Sequence, residues 1–278
     1  MNTNSHIKTC VVIGDPISHS LSPLIHNAAF KALGIEGEYQ FKGESVAPSD
    51  LEKYIQEVRA KNIHMLAVTI PHKETILACL DEVNTTAKEI GAVNTVINEG
   101  GKLVGYNTDC PGAINALLQH EEISGRNAVV LGSGGTARAI VYGLLRENVN
   151  VTICSRNDEK AKELSVRYKC NMLPWNDRAL ALNADIIINT TPIGREGEAF
   201  PIIEEGIKTR HIVFDANYSK KDTPLVTAAK QKNATAISGL ELLLQQGMIQ
   251  FELYTGIKAP EDAMRAALQN IKSHEKTV

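Results

Sequence analysis

The sequence predicts an α/β fold in two domains, each built on a mainly parallel sheet. Its 278 residues exceed what a single core of ordinary size organises, so two domains are expected. Short β-branched runs alternate with helical stretches from end to end, the pattern of parallel strands covered by helices. One such run, Ala128–Leu131, ends in glycines that open directly into a helical segment.

Strands are expected at Cys10–Ile13, Met65–Ile70, Ala128–Leu131, Val149–Cys154, Asp185–Asn189, His211–Asp215 and Ala234–Ile237. Ser22 and Pro23 offer a cap and a first-turn proline to a helix running through His26–Leu33, and Gly34 ends it. Pro71 and Pro111 are expected in the same first-turn role. Ala92–Val96 and Leu103–Tyr106, separated by Asn98–Gly101, read as a hairpin added antiparallel to the first sheet. The polar stretch Glu121–Arg126, with Gly125 just before Ala128–Leu131, marks the domain boundary. After Ile237 only helix remains, over Leu240–Tyr254 and Pro260–Lys272, and one of these could cross back onto the first domain. The expected division is 1–122 with about 240–278, and 123–239.

Composition narrows the function classes. The chain is 43% hydrophobic and 22% charged with a formal charge of -3, an ordinary globular balance without the basic excess that a phosphate backbone attracts. A nucleic-acid partner is not expected. Met1–Thr9 is polar and no run approaches the about 20 apolar residues of a membrane span, so a soluble cytoplasmic protein is the expectation. The five cysteines are scattered, and neither a disulfide framework nor a metal site is indicated.

Gly132-Ser133-Gly134-Gly135-Thr136-Ala137 is a GxGxxA turn between a strand and a helix, the arrangement that binds a dinucleotide in a Rossmann-like domain. Gly132 makes the tight turn, Gly134 lets backbone N–H groups reach the pyrophosphate, and Ala137 packs the helix closely on the strand. The second strand ends in Ser155-Arg156-Asn157 rather than the acid that binds the ribose of NAD. Arg156, with Lys160 one turn later, suits the 2′-phosphate of NADP, although Asp158 would repel it if turned inward.

In Gly14–Pro23 two hydroxyls, Ser20 and Ser22, alternate along an extended chain and can hold a carboxylate side by side. Lys73 lies at the start of a helix, where the dipole disfavours a cation, so a partner or substrate is expected beside it. Asp109, also at a strand end, is the candidate partner. Such a pair can supply the proton a carbonyl oxygen takes up as hydride reaches its carbon. His19, His26, His64 and His72 are scattered and read as packing residues, with His72 also able to line the site.

Together these segments resemble the shikimate dehydrogenases. The matching pieces are Gly14–Pro23 with His26-Asn27, Val68–Glu74, Gly91–Thr95, Asn107–Asp109, Gly132–Arg138, Asn189–Gly194, Phe214–Tyr218 and Gly239-Leu240 through Gln246, in family order from end to end. The resemblance implies reversible NADPH-dependent reduction of 3-dehydroshikimate to shikimate, on the way to aromatic amino acids, with the last helices returned to the substrate domain. It also implies Ser20 and Ser22 at the substrate carboxylate, and Thr69, Lys73, Asn94, Asp109 and Gln246 at its hydroxyl or carbonyl groups. Tyr218 would join that site, and Lys73 and Asp109 would be the catalytic pair. NADP would be held by Gly132, Ser133, Gly134, Gly135, Thr136, Ala137, Ser155, Arg156, Lys160, Thr191 and Gly239. A homodimer is carried with the family without a pattern that specifies it.

The chain departs from the family pattern at Ala67, Cys110, Asn157, Asp158, Glu241 and Leu242. A quinate/shikimate dehydrogenase using NAD or both cofactors shares every substrate motif, and only Arg156 argues against it. A catalytically silent nucleotide- or shikimate-binding paralogue needs no proton donor, so Lys73 and Asp109 together argue for an enzyme.

Overall fold

The structure is a computed structural model that describes residues 7–195, 200–202, 204–219 and 221–273. Of the polar stretch Met1–Thr9, residues 1–6 lie outside the described residues. The chain forms two compact units, Met1–Thr108 with Gln246–Val278, and Asp109–Gln245.

In the first unit β1 (Lys8–Gly14) is followed by α1 (Ser22–Leu33), β2 (Tyr39–Ser45), α2 (Leu51–Ala60), β3 (Met65–Val68) and the single-turn α3 (His72–Thr75). Then come β4 (Glu82–Val83), α4 (Thr85–Ile90), β5 (Thr95–Glu99) and β6 (Lys102–Tyr106). The sheet order is β2-β1-β3-β5-β6-β4. β1 lies parallel to β2 and β3, while β5 runs antiparallel to β3 and β6. The expected hairpin is present: Glu99 faces Lys102 across Gly100 and Gly101, whose φ values of 65° and 101° belong to glycine. The central β3 is buried along its whole length, as a strand covered on both faces must be. β2 escapes sequence reading because it is an edge strand that buries Tyr39 and Phe41 and turns Gln40 and Lys42 outward, so its apolar run is broken. Ser22 is not the cap of α1: the helix begins at Ser22 itself, Leu21 holds the cap position, and no side chain caps the end. Gly34 ends the helix in the left-handed conformation, as expected.

The second unit begins with α5 (Asp109–Leu118), then β7 (Asn127–Leu131), α6 (Gly135–Arg146), β8 (Asn150–Ser155), α7 (Asp158–Tyr168) and β9 (Asn171–Pro174). β10 (Ile186–Asn189), β11 (Ile212–Asp215), α8 (Pro224–Gln231) and β12 (Thr235–Ser238) follow. All strands are parallel in the order β12-β11-β10-β7-β8-β9, a doubly wound sheet whose winding reverses between β7 and β10. Two apolar layers cover its faces, one around Val130, Ile140 and Phe214 and the other around Leu131, Ile187 and Leu225.

The division falls ahead of α5 rather than at Glu121–Arg126. α5 packs on α6 so closely that a Cβ on Gly143 would stand 2.7 Å from Ile114 Cγ1 and 3.2 Å from Cys110 Sγ. The polar stretch therefore joins α5 to β7 inside one unit. α9 (Gly239–Thr255) and α10 (Glu261–Ser273) complete the chain, with the division inside α9 between Gln245 and Gln246. α10 rests on α1, and a Cβ on Gly247 of α9 would reach 2.7 Å from Ile25 Cδ1 and 3.7 Å from Met264 Cε. No helix of the described residues is long and apolar enough to cross a membrane.

Gly143 in mid-helix gives up helix propensity of about 1 kcal/mol relative to Ala, so the α5 contact must account for it. Gly143→Ala is expected to lower the unfolding free energy in urea by about 1–3 kcal/mol through overpacking against Ile114, despite that propensity gain.

Candidate active site

In the first unit the loops after β1 and β3 meet. Thr69 N donates to Ile13 O at 2.9 Å and Asp15 N to Ile70 O at 3.0 Å. A Cβ on Gly14 would lie 2.6 Å from Thr69 Cγ2 and 2.9 Å from Ile70 O, so only glycine lets the loops approach this far. Ser20 and Ser22 sit in a turn rather than an extended chain: Ser20 N donates to Ile17 O at 2.9 Å and Ser22 N to Ser20 Oγ at 3.4 Å. Their neighbourhood survives because the turn, not strand pleating, brings them together. Ser22 is buried and its hydroxyl has no hydrogen-bond partner among the described residues.

Lys73 lies in α3, too short for the helix-dipole argument to carry weight; its mark is burial, at 9% exposure. Pro71 holds the cap position of that turn instead of its first turn. Lys73 O accepts from Val93 N at 2.8 Å, and Asn94 O from Val68 N at 2.8 Å, tying the segment before β5 to α3 and to the end of β3. His72 is fully buried and bonded through Nε2 to Val46 O at 2.7 Å, so it packs rather than lines a site.

Asn94 is the centre of a buried polar cluster. Its Oδ1 accepts from Thr95 Oγ1 at 2.9 Å and Thr108 N at 2.7 Å. Its Nδ2 donates to Thr108 Oγ1 at 2.9 Å and Gln246 Oε1 at 3.3 Å. Asn94 and Gln246, 152 positions apart in sequence, are thus neighbours. Thr108, 2% exposed, is a member that sequence reading passes over, although it lies inside Asn107-Thr108-Asp109.

In the second unit the turn after β7 stands at the winding reversal. Gly132 has φ 118°, and a Cβ there would collide with Thr190 Oγ1 from the loop after β10. Gly134 is the reverse case: a Cβ would meet nothing, leaving open space beside the start of α6. That helix has no side-chain cap and no acid in its first turn, so its leading N–H groups and positive dipole end suit a phosphate. Ala137 is buried, as close packing of α6 requires. Ser133 and Ser155 share a buried hydrogen bond of 2.9 Å, and Ser155 Oγ also accepts from Asn157 N at 3.2 Å. Asn157 caps α7 by accepting from Lys160 N at 2.9 Å, which leaves Arg156 and Lys160 on the exposed side of the strand end.

Behind this surface Asp215 is fully buried and accepts from Asn189 Nδ2, Asn217 N, Asn217 Nδ2 and Thr223 Oγ1 at 2.7–3.0 Å. Burial raises its pKa, with those hydrogen bonds pulling the other way. Asn189 in turn accepts from Thr191 N and Oγ1 at 3.0 and 2.7 Å, so the same network shapes the loop carrying Thr191 and the one leading to half-buried Tyr218. A Cβ on Gly239 would collide with Asn217 O and Ala216 O. The glycines, the uncapped helix and the basic strand end are what a phosphorylated dinucleotide would require.

The chain matches known proteins throughout. It is 40% identical to the shikimate dehydrogenase (NADP(+)) of Nitrosopumilus maritimus, covering 94% of this chain and 98% of that protein. It is 36% identical to the corresponding protein of Carboxydothermus hydrogenoformans, covering 96% and 99%. The chain belongs to the shikimate dehydrogenase family. The family's substrate-binding-domain model matches residues 12–96, its C-terminal-domain model residues 239–269, and a model described as NADP oxidoreductase, coenzyme F420-dependent, residues 127–217. Among solved structures, the Thermus thermophilus shikimate 5-dehydrogenase in complex with NADP(H) and shikimate superposes with a TM-score of 0.87 at 31% identity, covering 95% of this chain and all of that one.

The two glycines separate fold from ligand in this family member. Gly132→Ala is expected to destabilise the second unit, lowering the thermal midpoint by several degrees, through strain at positive φ and the clash with Thr190. Gly134→Val should leave that midpoint within about 2 °C yet weaken dinucleotide binding at least tenfold in a fluorescence titration, because its side chain enters only the open space.

Proposed function

We propose that this chain catalyses the reversible NADPH-dependent reduction of 3-dehydroshikimate to shikimate, with the oriented polar cluster around Asn94 as the observation that carries the reading. A polyhydroxylated ring needs several donors and acceptors of set direction, and Asn94, Thr108 and Gln246 provide them in a buried setting. In this reading Ser20 and Ser22 hold the substrate carboxylate, and Thr69, Asn94, Gln246 and Tyr218 hold its hydroxyl and carbonyl groups. Pyrophosphate sits at Gly132–Ala137, the 2′-phosphate at Arg156 and Lys160 beside Ser155, and Thr191 and Gly239 complete the cofactor site.

NADPH, when bound, supplies the hydride. Lys73 and Asp109 are the proposed catalytic pair: as the carbonyl carbon gains hydride, its π electrons pass to oxygen, which takes a proton from the Lys73 ammonium, and Asp109 balances that charge. In the reverse direction Lys73 accepts the hydroxyl proton. None of the five cysteines is joined in a disulfide, in keeping with a reducing cytoplasmic setting.

Absorbance at 340 nm with shikimate is expected to rise with NADP and not with NAD. Equal rates with both would move the reading to a quinate/shikimate dehydrogenase, and no signal would leave a silent binder. Lys73→Ala should lower kcat about a thousandfold while changing the KM for shikimate less than tenfold; an unchanged kcat would remove Lys73 from the chemistry. Arg156→Ala should raise the KM for NADP roughly tenfold to a hundredfold in the same assay, the worth of one charge-assisted contact.

A further inference from the structure

Gln250 lies one helical turn beyond Gln246 on α9 and is 1% exposed. Nothing in the reaction as read above uses it, yet it is the root of the Asn94 cluster. Its Nε2 donates to Thr95 Oγ1 at 2.8 Å and to Asn94 O at 3.2 Å. A hydroxyl has one proton to give. Because Thr95 Oγ1 accepts from Gln250, that proton is directed to Asn94 Oδ1, 2.9 Å away. Thr108 N supplies a second donor to the same oxygen at 2.7 Å.

With Oδ1 engaged on one side, the Asn94 amide has a single orientation that satisfies both ends. Nδ2 then faces Thr108 Oγ1 and Gln246 Oε1. The Gln246 amide is oriented in consequence, its oxygen accepting from Asn94 Nδ2; Thr108 Oγ1 stands 3.3 Å from both Gln246 Oε1 and Asn94 Oδ1. Reversing the Asn94 amide would set its oxygen against that of Gln246. The direction of hydrogen bonding therefore passes from Gln250 through Thr95 to Asn94 and Gln246.

Gln250 is followed along α9 by a buried aromatic cluster. Tyr254, one turn further along α9, is hydrogen bonded through its hydroxyl to His26 Nδ1 at 2.9 Å, and the His26 ring stacks on Phe41 with centroids 4.4 Å apart. Burial lowers the His26 pKa to about 3, and the Gln250 side chain opposes that shift as a hydrogen-bond acceptor would. His26 Nε2 and Gln250 Oε1 are both buried without a hydrogen-bond partner among the described residues, so the Gln250 amide takes its direction from the Thr95 hydroxyl and the Asn94 carbonyl that its Nε2 meets.

We propose that Gln250 is a positioning residue for the substrate, setting the amide orientations of Asn94 and Gln246 through the Thr95 hydroxyl. The inference rests on reading Asn94 and Gln246 as substrate contacts. Its test compares the unaltered protein with Gln250→Met, Thr95→Val and the double variant, using shikimate and NADP. Gln250→Met should raise the KM for shikimate about tenfold, the worth of one well-placed hydrogen bond, with the KM for NADP within twofold of the unaltered protein. Thr95→Val, which interrupts the same path with a side chain of like shape, should do the same and covers the case in which Gln250→Met fails to fold. The double variant should lose no more than either single one, because both sever one path.

Full additivity in the double variant, or a shikimate KM within twofold of the unaltered protein for either folded single variant, would overturn the proposal. An unaltered protein that neither oxidises shikimate nor binds it by calorimetry would overturn the functional reading, and this inference with it.

Discussion

Where the winding of a parallel sheet reverses, neighbouring strands send their loops in opposite directions and leave backbone groups with room for a ligand between them. Both units are organised around such a point, and in both the close approach of the two strand ends depends on a glycine. Gly14, ending β1, is pressed against Thr69 and Ile70 after β3; Gly132, following β7, is pressed against Thr190 after β10. The residues proposed to touch the substrate carboxylate and the cofactor pyrophosphate follow from these two contacts, while Arg156 and Lys160, proposed for the 2′-phosphate, follow β8. Ser20 and Ser22 leave from the first, and the start of α6 leaves from the second.

Polar groups buried behind these loops hold them in place. In the first unit neutral amides and hydroxyls do so, each with its direction set by the next. In the second, a buried carboxylate does so: Asp215 collects four donors from Asn189, Asn217 and Thr223. Removing any one member strands the rest in a low-dielectric interior, a penalty larger than the net worth of the bond itself. Both networks therefore convert chain segments that lack regular structure into rigid ones.

Much of this is legible in the residues alone. The central strands read as uninterrupted apolar runs because both faces are covered, and the hairpin reads from Gly100-Gly101 because a two-residue connection demands positive φ. The edge strands β2 and β9 do not read, since strands exposed at an edge carry polar residues for solvent as loops do. Ser22 reads as a cap, and is not one, because Ser before Pro is the local signature of a helix start, whatever the hydroxyl then does.

The sequence by itself determined the alternation of strands and helices, the dinucleotide turn and the family, since each is written in short segments whose meaning is local. Tertiary structure alone decided which distant polar residues share a hydrogen bond. No local pattern brings Gln246 and Gln250 to Asn94 and Thr95, because that meeting depends on the packing of α9 within the first unit, and packing is a property of surfaces that the chain acquires only when folded.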